Sequence, residues 1–110
     1  MLSSLTNYFD SDAISRLEDL YGGRLQTLPK LDILALILAL AECAYALDAH
    51  GASDRLDLVC AEHGHQYQDD EAIMDILYAL DGEITDVREV LSLISGLATF
   101  VRRRPPLSEF

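Results

Sequence analysis

The sequence predicts an all-α fold, a compact bundle of about five helices around a central apolar helix at about residues 29–50. Three observations support this prediction. Apolar residues recur at intervals of three and four along most of the chain, which is the spacing of one helix face. No segment keeps the period of two that a half-buried strand requires. Each break between apolar segments carries residues that begin or end helices.

The N-terminal segment predicts a short turn and then a first helix from about Ser11 to Tyr21. Ser11 is a suitable N-cap because its hydroxyl can accept a backbone N–H of the first turn. Gly22 and Gly23 end the helix, since glycine adopts the left-handed conformation at little cost. The apolar positions of the turn and the helix fall at helical spacing: Leu2, Leu5, Tyr8 and Phe9, then Ala13, Ile14, Leu17, Leu20 and Tyr21.

The central helix is predicted to run from Pro29 to about His50 and to end at Gly51. Proline is tolerated at a first helical position, where its missing N–H would have no partner. The stretch Leu31–Leu47 carries only two charged side chains. A helix that is apolar all round must be covered by other helices, a second copy or lipid, and a membrane span needs roughly 20 such residues. We therefore expect four amphipathic helices to close round this helix, with unequal burial because Glu42 must reach water or a partner at one edge.

Three amphipathic helices are predicted after the central one, each with an apolar face at helical spacing. A polar residue precedes each of them, and glycines or prolines follow them. Ser53 is predicted to cap the third helix and Gly64 to close it, and Asp69 or Asp70 to cap the fourth and Gly82 to end it. The fifth is predicted to begin at Thr85 and to carry Arg102–Arg104 in its last turn.

The size and composition of the chain predict one domain at residues 1–104 and a loose tail at 105–110, after two prolines stop the last helix. The N-terminus has no basic segment followed by an apolar one, so a cytoplasmic location is expected. The two cysteines are then expected to be reduced. The net charge of −11 disfavours direct binding to nucleic acid or to anionic membrane surfaces.

Most of the negative charge lies between Asp48 and Glu89, where there are twelve acids and two arginines. On the third and fourth helices the acids lie off the apolar stripes, so we expect an outward acidic face. Such a face suits a partner protein with a basic surface. The equally weighted alternative is that the charge only keeps the chain soluble. The candidate partner-binding residues are Asp54, Asp57, Glu62, Asp69, Asp70, Glu71 and Asp75.

Four side chains form a candidate zinc set: Cys43, Cys60, His63 and His65. If the second and third helices form a hairpin, the two sulfurs lie at similar distances from the turn. The preferred explanation is that both cysteines are buried as small apolar residues. The set lacks the closely spaced ligand pairs of structural zinc sites, and we expect no metal or other cofactor.

The sequence contains no recognisable catalytic motif. It has no Gly-x-Ser-x-Gly turn and no glycine-rich phosphate loop. A calcium loop centred on Gly82 fails because Leu77 and Ala79 occupy the first ligand positions and Arg88 the last. We therefore do not expect an enzyme.

The expected function is non-enzymatic binding of another protein, by a monomer or a homodimer. In the first version the acidic face occupies a basic surface of a nucleic-acid-handling protein, as small DNA-mimicking anti-CRISPR and anti-restriction inhibitors do; this analogy rests on size and charge. In the second version an apolar groove holds a partner's helix, as in small acidic secretion chaperones and adaptors. A repeat of Tyr-Ala-Leu-Asp at Tyr45 and Tyr78 slightly favours the second version.

Overall fold

A computed structural model describes residues 4–103 of the chain. These residues form a short 3-10 helix, Leu5–Asn7, and five α-helices with no strand among them, so the predicted all-α class is confirmed. The helices are α1 Asp12–Tyr21, α2 Lys30–His50, α3 Leu56–Glu62, α4 Asp70–Glu83 and α5 Val87–Arg102. Arg104 and the predicted tail at 105–110 lie outside the described residues.

The helices enclose one hydrophobic core. Helix α2 packs along α5, α1 packs against α4, and α3 contacts both α2 and α4. The 3-10 helix contacts α1 and α5. The apolar cavity bounded by α1, α2, α4 and α5 is only about 20 Å³, about the space of one water molecule. The core is therefore filled by its own side chains.

The predicted N-cap of α1 and the glycines after α1 and α2 are confirmed by local contacts. Pro29, predicted as the first helical residue, is instead the N-cap of α2, which begins at Lys30. The Ser11 hydroxyl accepts the N–H of Ile14 at 3.2 Å, so Ser11 is the N-cap of α1. Gly22 follows α1 with φ of 95°, and Gly51 ends α2 in the left-handed region with φ of 77°. Both glycines have the positive φ that other residues adopt only at a cost.

The predicted start of α3 is wrong. Its N-cap is Arg55 rather than Ser53, whose hydroxyl instead donates to the Cys43 sulfur at 3.4 Å. The first N–H of α3, on Leu56, donates to the Asp81 carboxylate at 3.0 Å. A side chain from the end of α4 thus replaces the local cap.

The predicted boundary between α4 and α5 is also shifted. Helix α4 continues through Gly82 to Glu83, and the N-cap of α5 is Asp86 rather than Thr85. Asp86 and Glu89 form a capping box. The Asp86 side chain accepts the backbone N–H of Glu89, and the Glu89 side chain accepts the backbone N–H of Asp86. This reciprocal arrangement determines where α5 begins.

One face of α2 is exposed, so the other helices cover this central helix unequally. Leu31 is 58% exposed, Leu38 is 55% exposed and Tyr45 is 71% exposed. Leu34, at 40%, lies between them. The opposite face enters the core through residues such as Leu36. We call the exposed face the α2 strip and define it as Leu31, Leu34, Leu38, Ala41 and Tyr45.

Candidate functional site

The seven candidate partner-binding acids lie on or next to α3 and α4, which pack against each other. Glu71 and Asp75 are one turn apart on the solvent-exposed face of α4. Tyr78 continues this face, and the Arg55 guanidinium lies 4.7 Å from the centre of its ring. The structure therefore places the candidate acids on two adjacent helices and their loops, beside an exposed cation that already contacts Asp57 and Tyr78.

Two of the seven acids are engaged in local structure. Arg55 holds Asp57 with two hydrogen bonds of 2.8 and 3.1 Å, and this contact keeps the pKa of the Asp57 carboxyl below its usual range. The Asp70 carboxylate accepts the N–H of Tyr67 at 3.3 Å, which supports the loop before α4. These two side chains have a structural role.

The other five acids have free carboxylates. Within residues 4–103, none of them has an ion-pair or hydrogen-bond partner, and all five are exposed. Asp69 is the N-cap of α4, but its side chain accepts no capping hydrogen bond. We call this set the free acidic surface: Asp54, Glu62, Asp69, Glu71 and Asp75.

Several acids outside the predicted set cap helices that are distant in sequence. The Glu83 carboxylate accepts the N–H groups of Asp12 and Ala13, both at 3.0 Å, at the start of α1. Glu18 accepts the N–H of Thr6 at 3.3 Å. Part of the acidic composition therefore stabilises helix N-termini, where unpaired N–H groups and the helix dipole favour a negative charge.

A buried carboxylate lies at the start of α2. Asp32 is 3% exposed and accepts hydrogen bonds from Nε2 of His65 at 2.7 Å and from the N–H of Gln68 at 3.0 Å. The His65 ring meets the edge of the Tyr67 ring at 4.8 Å. Sequence analysis identified His65 only as a candidate metal ligand, and no local pattern pairs it with Asp32, 33 residues away.

The candidate zinc ligands contact four different partners. Cys43 contacts Ser53 and Cys60 contacts Tyr67, while His63 pairs with Glu42 at 2.6 Å and His65 pairs with Asp32. Within residues 4–103, no three cysteine, histidine or acidic side chains converge as metal ligands would. The structure therefore does not assemble the candidate set into one centre.

The Cys60 thiol and the Tyr67 phenol are poorly suited to acid–base or nucleophilic chemistry. Burial raises the pKa of the Cys60 thiol, and burial together with the contact to Cys60 raises the pKa of the Tyr67 phenol. A thiol attacks as its thiolate, and a raised pKa keeps that form scarce. The Tyr67 hydroxyl instead donates to the Cys60 sulfur at 3.5 Å, which joins the loop to α3.

Comparison of the chain with protein-family models, with curated proteins and with solved structures found no match in any of the three. In the part of the chain between residues 4 and 103, none of the helices has both the length and the apolar character that crossing a membrane requires. The two surfaces that stand out are the free acidic surface and the α2 strip.

Proposed function

We propose that this protein is a non-enzymatic binding module whose acidic surface docks on a basic surface of another protein. The observation that carries the proposal is the free acidic surface: five exposed carboxylates that no cation among the described residues neutralises. These five lie on two helices that pack against each other, α3 and α4, and in the loops before them.

The electrostatics of this region suit rapid and selective association. The nearby cation Arg55 is already paired with Asp57, so it does not offset the free carboxylates. Complementary potentials accelerate encounters with a basic partner and disfavour wrong ones. A rigid helix also holds Glu71 and Asp75 at a constant spacing, which reduces the entropy lost on binding.

The class of partner that fits this surface best is a nucleic-acid-handling protein. Its substrate-binding groove is basic because it must neutralise phosphates. A set of exposed carboxylates on a small rigid domain can occupy such a groove in place of the phosphates. We therefore propose inhibition by occupation of that groove, with no chemical step on the part of this chain.

The second version, a chaperone or adaptor that holds a partner's helix, depends on an apolar groove. The apolar space between α1, α2, α4 and α5 is about 20 Å³, which is far too small for a helix about 10 Å across. The exposed apolar surface on α2 is a helix face rather than a groove. The free acidic surface therefore has the stronger claim to the principal function.

Charge reversal on α4 with a matched control tests the proposal. The test variant is Glu71→Lys with Asp75→Lys, and the control is Asp12→Lys with Asp19→Lys on α1. Each pair replaces one exposed acid in the first turn and one exposed acid further along its helix. Asp70 is left unchanged because it supports the loop. Both variants and the wild type serve as bait in an extract of the source cells, and bound proteins are quantified by mass spectrometry.

We expect wild type and control to capture the same basic protein and the α4 variant to lose it. Titration calorimetry with that purified protein should show affinity falling by at least about tenfold between about 0.1 M and about 1 M salt, as the Debye length shortens. Equal capture by all three forms, or an affinity insensitive to salt, would overturn the proposal.

A further inference from the structure

We infer that the α2 strip binds a second copy of this chain, with the two α2 helices antiparallel. The inference does not depend on the partner proposed for the acidic surface. It starts from the strip itself, in which four large apolar side chains are between 40% and 71% exposed on one helix. Exposed apolar surface of this extent on a small domain typically marks an interface.

The spacing of the strip matches the face of a helix that packs along another helix. Its positions, Leu31, Leu34, Leu38, Ala41 and Tyr45, are separated by three, four, three and four residues. This alternation averages 3.5 residues and keeps one face toward a partner helix. The strip is roughly 21 Å long at 1.5 Å per residue. A partner helix can therefore contact it over its whole length.

The charges at its two ends favour a second copy in the antiparallel orientation. Lys30 precedes the strip and Asp48 follows it, 18 residues later, which is five full turns at about 3.6 residues per turn. The two side chains therefore lie on the same flank of α2. A twofold axis near Leu38 places Lys30 about 12 Å and Asp48 about 15 Å from the axis along the helix.

Rotation about that axis reverses the helix direction and keeps each flank on the same side of the interface. Lys30 of each copy then approaches Asp48 of the other, so that one attractive pair forms at each end. A parallel arrangement would place like charges at the same level instead. The antiparallel arrangement also opposes the two helix dipoles, which is the favourable orientation.

The negative charge of the chain does not prevent this contact. Besides Asp48 at its end, the strip has Glu42 at its edge, and the Glu42 carboxylate lies 2.6 Å from Nε2 of His63 on the α3 side. The free acidic surface lies on α3, α4 and their loops, and none of its residues is on α2. Two copies can therefore join their apolar strips without using the acidic surface.

The size of the contact predicts a reversible dimer. One helix face from each copy lies at the low end of the interface range, at or below about 1,200 Å² in total. Such contacts are typical of complexes that dissociate on dilution. We expect a dissociation constant in the micromolar range, on the order of 1 to 100 μM.

Sedimentation equilibrium over a range of concentrations tests the inference. Wild type should move from 12.2 kDa toward twice that mass as concentration rises. Leu38→Glu should weaken self-association by at least about tenfold, since it places two carboxylates at the twofold axis. The control Leu20→Glu changes a leucine that is 51% exposed on α1, and it should associate as wild type does. Circular dichroism establishes that both variants are folded.

Charge exchange tests the orientation. Lys30→Glu alone and Asp48→Lys alone should each weaken the dimer by about fivefold, and the two changes together in one chain should restore it. In a parallel pair neither single change would matter, because like charges would face like charges before and after. Wild type that stays monomeric throughout, or a dimer that Leu38→Glu leaves intact, would overturn the inference. In the monomeric case the strip would be open to the helix of a different protein.

Discussion

Gly96 determines how closely the N-terminal segment approaches α5. A Cβ atom at this position would lie 2.8 Å from Cδ2 of Tyr8 and 3.0 Å from Cδ1 of Leu5. The Tyr8 ring is also in edge contact with Phe100 at 6.4 Å, so it has little freedom to move aside. Glycine is required here by close packing rather than by its backbone conformation.

We therefore predict that Gly96→Ala destabilises the protein by about 1–3 kcal/mol, because overpacking outweighs the better helix propensity of alanine. Gly82 is the control, since it lies in the last turn of α4 and no atom beyond its own turn is within 4 Å of its Cβ position. Gly82→Ala should stabilise by at most about 0.5–1 kcal/mol. Urea unfolding of both variants measures the difference, and effects of the same sign would refute this account of Gly96.

Asp32 shows what residue-level sequence analysis misses. The sequence places it in the first turn of α2, where an acid favours the helix dipole. The structure adds two partners, His65 and the N–H of Gln68, which lie 33 and 36 residues further along the chain. Burial with two hydrogen bonds depends on how the loop folds back, and no local pattern encodes that.

At the scale of helices, the local caps of α1 and α2 were predictable, the local capping box of α5 was placed one residue early, and the start of α3, which a distant residue sets, was missed. Ser11 and Gly51 act within their own turns, and both were predicted correctly. The start of α3 depends on Asp81, 25 residues away, and that boundary was predicted wrongly. A cap supplied by another helix leaves no signal near the helix that it caps.

The α2 strip was missed for a related reason. The helix is apolar on almost every side, so its sequence carries no periodicity that distinguishes a buried face from an open one.

The candidate zinc set could be identified from the sequence, but the fold does not bring it together. Each of its four side chains contacts a different partner in the folded chain.

The capping box of α5 predicts a pH dependence of stability. The N–H and hydroxyl of Thr85 donate to Glu89 and lower its pKa from 4.5. At Asp86, desolvation alone would raise the pKa, but hydrogen bonds from the Arg88 side chain and from the backbone N–H groups of Glu89 and Arg88 together lower it from 3.8. A carboxyl whose pKa is lowered by folding stabilises the protein above its ordinary pKa and loses that effect as the pH falls through the lowered value.

We accordingly expect the full stabilisation above pH 4.5 and a progressive loss below pH 3.8. Unfolding free energies of wild type and of Asp86→Asn with Glu89→Gln should differ at neutral pH and converge in acid. Comparing the two proteins at each pH removes the effect of the overall charge. A difference that stays constant with pH would contradict the role given to these carboxylates.

The whole molecule presents two unlike surfaces on different helices. The α2 strip is apolar and has the spacing of a helix-packing face, whereas the free acidic surface on α3 and α4 is suited to a basic partner. We propose that the first joins two copies and the second recognises another protein. A dimer would present two acidic surfaces, and two linked contacts raise the avidity for a partner with matching sites.

Both proposals assign a binding partner to a surface of the chain. The one for the α2 strip can be tested on the purified protein alone. Cysteines cross-link when their Cα atoms approach within about 7 Å. Under mild oxidation, Leu38→Cys should form a disulfide-linked dimer because the twofold axis brings position 38 of one copy against position 38 of the other. Leu31→Cys should remain a monomer, because in an antiparallel pair its counterpart lies at the opposite end of the strip. Failure of Leu38→Cys to cross-link, or equal cross-linking at both positions, would contradict the antiparallel dimer.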